Sequence, residues 1–230
     1  VDALGAEAFF TELAKALEGT SFNPADPDAQ ATLERVGVTP GAFDASSLSD
    51  AQRAGLADVP GRVLDGMDDA VASGEGGRIS NGWRIPPMTL GDYGTQYPVR
   101  AVVAREGLGA NLPEDAVYAS TTVDAEDQPL EGGRTYTIDM PADVPVMAFW
   151  SVTLYDERGN LLRGGDEGLT VSGTRESGAQ RIVISPDRPG DGPWLRAPDS
   201  GPYRLLMRLY WPDAEVLDGQ WEFPPVIPAP

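Results

Sequence analysis

From about residue 116 onward the apolar positions of the chain recur every second residue. The segments "AVYASTTV", "RTYTIDM", "VMAFWSVTLY", "NLLRG", "GLTVSG", "QRIVIS" and "YRLLMRLYW" are separated by links rich in Gly, Pro and Asp. This period and spacing predict six or seven strands. With no βαβ alternation, the arrangement expected is an antiparallel, jelly-roll-like β-sandwich. Residues 1 to about 110 follow a helical period instead. "AEAFFTELAKALEG" sets Phe9, Phe10, Leu13 and Leu17 near one stripe and stops at Gly19. A short helix is expected between Asp26-Pro27 and Gly37. A longer one is expected from the N-cap Ser49 to residue 73, broken or kinked at Pro60. A further helix from Thr95 to Glu106 takes Pro98 in its first turn and ends at Gly107. The fold class expected is therefore α+β: a helical region and linker over 1–110, packed on a β-sandwich over 111–230.

Two strands show how the faces divide. In "FWSVTLY", Trp150, Val152 and Leu154 fall on one side, with Phe149, Ser151, Thr153 and Tyr155 on the other. In "YRLLMRLYW", Leu205, Met207, Leu209 and Trp211 alternate with Arg204, Leu206, Arg208 and Tyr210. Each strand thus has a dry face for the core and a mixed aromatic-polar face. On the helix around residue 100, Gln96, Tyr97, Arg100 and Ala104 share one side and Val99, Val102 and Val103 another. So apolar a helix is expected to be covered, which leaves Arg100 needing a partner or a ligand, with Arg208 or Tyr155 nearby.

Composition removes most familiar chemistry. The chain has neither Cys nor His, and Lys15 is its one lysine, set in an amphipathic helix pattern. That excludes thiolate and imidazole nucleophiles, bases and metal ligands, and confines amine chemistry to one residue. No metal and no cofactor is expected, and no catalytic residue can be named. With 36 acidic against 17 basic residues the formal charge is −19, a field that repels nucleic acid and anionic membrane surfaces. No apolar run approaches the roughly 18 residues a membrane span needs. Residue 1 is Val, so a mature or trimmed form is expected, which leaves room for a signal or anchor upstream.

The short motifs are weak. "GLGANL" (107–112) follows a helix rather than a strand, so it reads as a cap and turn instead of a dinucleotide fingerprint. The carboxylates of "DAEDQPLEGG" and "DERGN" sit at hairpin tips, where Asp bonds its own backbone. The better candidates are Tyr97, Arg100, Trp150, Tyr155, Arg208 and Tyr210, a ligand-binding set of Arg forks and aromatic rings suited to carboxylates, phosphates or sugars. The structural alternative is an internal Arg–Asp/Glu pair beneath an aromatic core.

Several longer phrases, in order, carry a resemblance: "GDYGTQYPVRAVVAREGLGANLPEDAVY", "VDAEDQPLEGGRTYTI", "PVMAFWSVTLYDERGNL", "PWLRAPDSGPYRLLMRLYWP" and "VLDGQWEFPPVI". Together with "LERVGVTPGAFDAS" they resemble a bacterial family of paired domains of unknown function, numbered 1254 and 1214. The part matched is the linker and the C-terminal domain. The resemblance implies a β-sandwich with a helical segment packed on it, in proteins often exported or membrane-anchored. The chain departs from it by lacking the N-terminal β domain of longer members. It also reads "RGGDEGLTVSGTRESGAQRIVIS" where a longer Asn- and Asp-rich loop belongs. The function expected is an extracytoplasmic ligand-binding or envelope-associated module for a small polar or anionic ligand or envelope carbohydrate. The alternative is a glycosidase- or lyase-like enzyme using Asp/Glu and Tyr. Paired acids in one cleft would favour the enzyme, and Arg with aromatics but no acid pair would favour binding.

Overall fold

The structure is a computed structural model that describes residues 5–73, 77–107, 109–162 and 167–229. The chain divides into two compact units, Val1–Ser73 with Tyr93–Leu108, and Gly74–Asp92 with Gly109–Pro230. The fold is α+β, with helices in the N-terminal region and antiparallel sheets in the C-terminal one.

The first unit holds α1 (Ala6–Leu17), α2 (Ala29–Glu34), the two-residue strands β1 (Val38–Thr39) and β2 (Ala42–Phe43), α3 (Asp50–Ser73) and α4 (Tyr97–Glu106). Its small core gathers Phe10, Ala14 and Val38, with Phe9, Leu13 and Leu17 packed on it. Ser49 and Gln52 cap α3 reciprocally, each side chain bonding the other's backbone N–H. Pro60 lies inside α3 without ending it, so of the break or kink expected there the break is not found. Proline removes one hydrogen bond of the helix, which the turns on either side outlast. The cap of α4 is Gln96 rather than Thr95, and none of its residues is buried. Val99, Val102 and Val103 are half-buried and Arg100 is exposed, so the expectation of a helix covered on both sides fails. Three valines on one side need cover on that side only.

The second unit is built on two sheets. Its strands are β3 (Arg78–Ser80), β4 (Trp83–Ile85), β5 (Ala116–Thr121), β6 (Tyr136–Met140), β7 (Trp150–Asp156), β8 (Thr170–Gly173), β9 (Gln180–Ser185), β10 (Trp194–Arg196), β11 (Tyr203–Tyr210) and β12 (Val226–Pro228). A one-turn helix, α5 (Ala214–Leu217), precedes the last strand. Six strands pair in the order β3-β4-β5-β11-β7-β8 and four in the order β10-β9-β6-β12. All pairs are antiparallel except β9 with β10.

One apolar core takes the inner faces of both sheets: Val152, Leu154, Leu205, Met207 and Leu209 from the larger, Tyr136, Ile138, Ile182, Ile184 and Val226 from the smaller. Two sheets sharing one core make a sandwich. β11 shows why: its residues alternate buried and half-buried along its whole length, as a strand with one core face must. The expectation of helix and loop up to residue 110 misses the β3–β4 hairpin, which joins the six-stranded sheet through Arg84 opposite Ser120. Trp83 and Ile85 drive this pairing by burying their side chains in the core. The expected strand "NLLRG" reduces to a bridge between Leu161 and Tyr155, and its last two residues, 163 and 164, lie outside the described residues.

Candidate functional site

The face of the six-stranded sheet turned away from the core gathers three of the six candidates. β11 presents Arg208 and Tyr210 there, and the pairing register sets Arg208 between Tyr118 of β5 and Ser151 of β7. The guanidinium donates from Nη1 to Thr153 Oγ1 at 2.9 Å and from Nη2 to Tyr155 Oη at 2.6 Å. It also lies over the Tyr155 ring, 5.7 Å from the centroid. Thr153 is bonded in turn to Thr170 Oγ1, 3.0 Å away on β8. An Arg fork carries five N–H donors, so hydroxyl partners leave most of this one unspent.

The other arginines of this unit show what a structural role looks like. Arg181 clasps Asp139 at 2.6 Å, and Arg175 pairs with Asp143 and Asp213. Arg204, two residues before Leu206, donates to the Glu157 carbonyl and packs on Gly159. Arg208 is half-buried and, among the described residues, forms no ion pair with any acid. The internal Arg–acid pair considered from the sequence is therefore not the arrangement found at this residue. A partly desolvated guanidinium held by two hydroxyls and a ring keeps N–H donors with which an anion could be bound.

Aromatic rings continue the site toward one end of the sheet. Tyr118 and Tyr210 meet edge to face at 6.2 Å, and Phe149 stacks on Tyr210 at 4.4 Å with 18° between the planes. Tyr118 donates to Asn111 Oδ1 at 2.6 Å. Burial, and then the neighbouring Tyr210 hydroxyl, push the Tyr118 phenol up to about 12, against the opposing charge of Arg208. At neutral pH it is a fixed hydroxyl rather than a base. Beyond the rings, Phe149 is 43% exposed, Trp211 57% and Met147 74%. Trp211 adopts the left-handed backbone, φ 50°, its N–H bonded to the Asp115 carbonyl and its carbonyl to the Met147 N–H. That backbone is costly for an aromatic residue and turns the ring off the core side that strand alternation predicts.

Of the six residues singled out from the sequence, Tyr155, Arg208 and Tyr210 come together here. Trp150 does not: it is 1% exposed, inside the sandwich, because it occupies the dry face of β7. It is a core residue and leaves the surface set. Tyr97 and Arg100 belong to the helical unit, where Tyr97 donates to Asp26 Oδ2 at 3.0 Å. Burial and the neighbouring Asp26 raise its phenol. Arg100 is exposed, so nothing obliges it to find a buried partner. Thr153, Tyr118 and Phe149 were not singled out, although Thr153 and Phe149 share the alternation that marks Tyr155. Among the described residues no group of three or more Asp/Glu side chains is placed to hold a metal ion. No described helix is long and apolar enough to cross a membrane.

Residues 115–214 match a family described as "Protein of unknown function (DUF1214)". The whole chain superposes on the VPA0106 protein from Vibrio parahaemolyticus with a TM-score of 0.66 at 20% identity, covering 56% of that protein. The chain thus spans little more than half the length of that relative, and the likeness is one of fold. An uncharacterized protein from Burkholderia cenocepacia is 18% identical, over 56% of this chain and 33% of its own, with a TM-score of 0.41. No curated protein matches the chain significantly.

Proposed function

We propose that the β unit is a ligand-binding module whose site is the outer face of the six-stranded sheet around Arg208. The ligand carries a carboxylate or phosphate held by Arg208 and Tyr155, and a flat or apolar body laid against Tyr210 and Phe149. One observation carries this reading: a half-buried guanidinium whose described side-chain partners are the hydroxyls of Thr153 and Tyr155. Arg208 and Tyr210 are two positions apart on one strand, which sets acid and ring roughly 7 Å apart. That span fits a small arylalkyl acid. The enzyme alternative finds less support on this face, since among the described residues no acid is ion-paired with Arg208 and the Tyr118 phenol is pushed away from neutrality. The extracytoplasmic setting and the pairing with a preceding domain 1254 belong to the same proposal and rest on the sequence resemblance.

The test is a titration of the isotopically labelled chain with 3-phenylpropanoate and phenyl phosphate, followed by NMR. The reading expects saturable shifts that include Tyr155, Arg208 and Tyr210. Shifts confined to the helical unit, or none, would remove it. Fractionation of cells that carry the gene natively checks the location, with the chain expected outside the cytoplasm.

A further inference from the structure

A concavity opens in the same unit along the seam where β8, the edge of one sheet, nears β9 and β10 of the other. Its volume is about 480 Å³, inside the roughly 300–1,000 Å³ range of small-molecule sites. Its floor is apolar, made by Val171, Pro193 and Trp194, and its walls carry Glu167, Asp191, Arg188, Gln180, Thr170 and Ser172.

The charged wall groups are available, whereas the Thr170 hydroxyl already shares a hydrogen bond with Thr153. Glu167 and Asp191 form no ion pair or side-chain hydrogen bond with a described residue, and Arg188 spends only its Nε–H, on the Gly190 carbonyl at 3.0 Å. The floor, by contrast, is fixed. The Trp194 indole donates to Ser185 at 3.0 Å, and Gly168 packs so close that a Cβ there would lie 2.8 Å from the ring. Gly168 has φ +72° and accepts the Arg196 N–H at 2.7 Å, which seats Glu167 at the rim.

Charge narrows what this groove can take. An anion would meet two carboxylates on a chain of net charge −19. A cation would compete with Arg188, which already lies over the Trp194 ring at 5.9 Å. A neutral ligand with many hydroxyls suits both kinds of group, because each hydroxyl donates to a carboxylate while accepting from a guanidinium or amide. Its C–H surface suits the indole and proline floor. We propose that this groove is a binding site for a neutral saccharide, adjoining the Arg208 network through the Thr170–Thr153 bond but independent of the reading given to that network.

Calorimetric titration with three probes tests this: cellotetraose, chitotriose and maltotetraose, with spermidine as a cationic comparison. The proposal expects saturable binding of at least one sugar at millimolar concentration or below. Glu167→Gln and Asp191→Asn, both at exposed unpaired positions, should keep the melting temperature and weaken that binding about tenfold to hundredfold each. Failure of all three sugars overturns the proposal. So does binding that neither substitution changes, or binding of spermidine in preference to sugar. The titration of the Arg208 face with 3-phenylpropanoate is read separately, so either site can fail without the other.

Discussion

Replacing Gly173 with alanine tests the placement of Trp150 and the register of the sandwich edge together. Gly173 stands opposite Trp150 in the β7–β8 pairing. A Cβ added there would lie 2.7 Å from Trp150 Cζ2 and 2.9 Å from both Trp150 Cε2 and Ser177 Oγ, where ordinary contact begins near 3.4 Å. Something must therefore move by several tenths of an ångström. The indole is 1% exposed and packed on every side, so it has little room. The easier movement is of β8, an edge strand that can lean outward at the expense of its end pairing. Overpacking of a core typically costs about 1–3 kcal/mol, and the mobile edge sets the expectation in the middle, about 2 kcal/mol. For a unit of this size that lowers the melting temperature by roughly 4–8 °C. Gly190→Ala is the control, since nothing lies within 4 Å of a Cβ there. It should change stability by less than about 0.5 kcal/mol. The assay is thermal unfolding followed by near-ultraviolet circular dichroism, which senses the buried indole. An unchanged melting temperature for Gly173→Ala would refute the register and return Trp150 to the surface residues.

Three further outcomes are expected. Burial raises the phenols of Tyr203 and Tyr118, the latter to about 12. Raised folded-state values mean that the stability they contribute is complete below pH 10 and is lost as pH climbs toward 12. The melting temperature should fall over that window, with the Tyr203 phenol ionising at 295 nm only on unfolding; a flat profile would contradict its burial. At the acid end, Arg181 holds the Asp139 carboxyl low and the Asn160 backbone holds Asp156 low. Their contribution is present above about pH 4 and fades below it, so Asp139→Asn should flatten the acid limb of a stability–pH curve. Finally, a net charge of −19 implies self-repulsion that counter-ions screen. The melting temperature should rise between low salt and a few tenths molar sodium chloride, and a falling curve would show the charges to be well paired already.

The strands were legible where one face meets the core over several residues. β11 alternates without a break, and β7 sorts into Trp150, Val152 and Leu154 against Ser151, Thr153 and Tyr155. The β3–β4 hairpin was not, because three-residue strands among glycines and prolines offer one or two alternations, too few to tell from a loop. For α4, three valines suggested deep burial, but half-burial on one side satisfies them equally. The site shows the same division. Tyr155, Arg208 and Tyr210 follow from the alternation, since each sits on the mixed face. That Arg208 lies between Tyr118 and Ser151, and reaches Thr153, depends on register between strands distant in sequence, which no local pattern encodes. The β8–β10 groove had no signal either. It depends on β10, which is not among the strands expected from the sequence, pairing parallel to β9 after the link 186–193.

The proposed site turns on what Arg208 holds. Calorimetric titration of 3-phenylpropanoate into the wild-type chain and into Arg208→Met measures it. The account predicts that methionine leaves the fold in place, because its stem covers the same sheet surface and no carboxylate partner is orphaned. It predicts that binding weakens by about tenfold to hundredfold, the worth of a charge-assisted hydrogen bond. Equal affinity in the two proteins, with both folded, would contradict it.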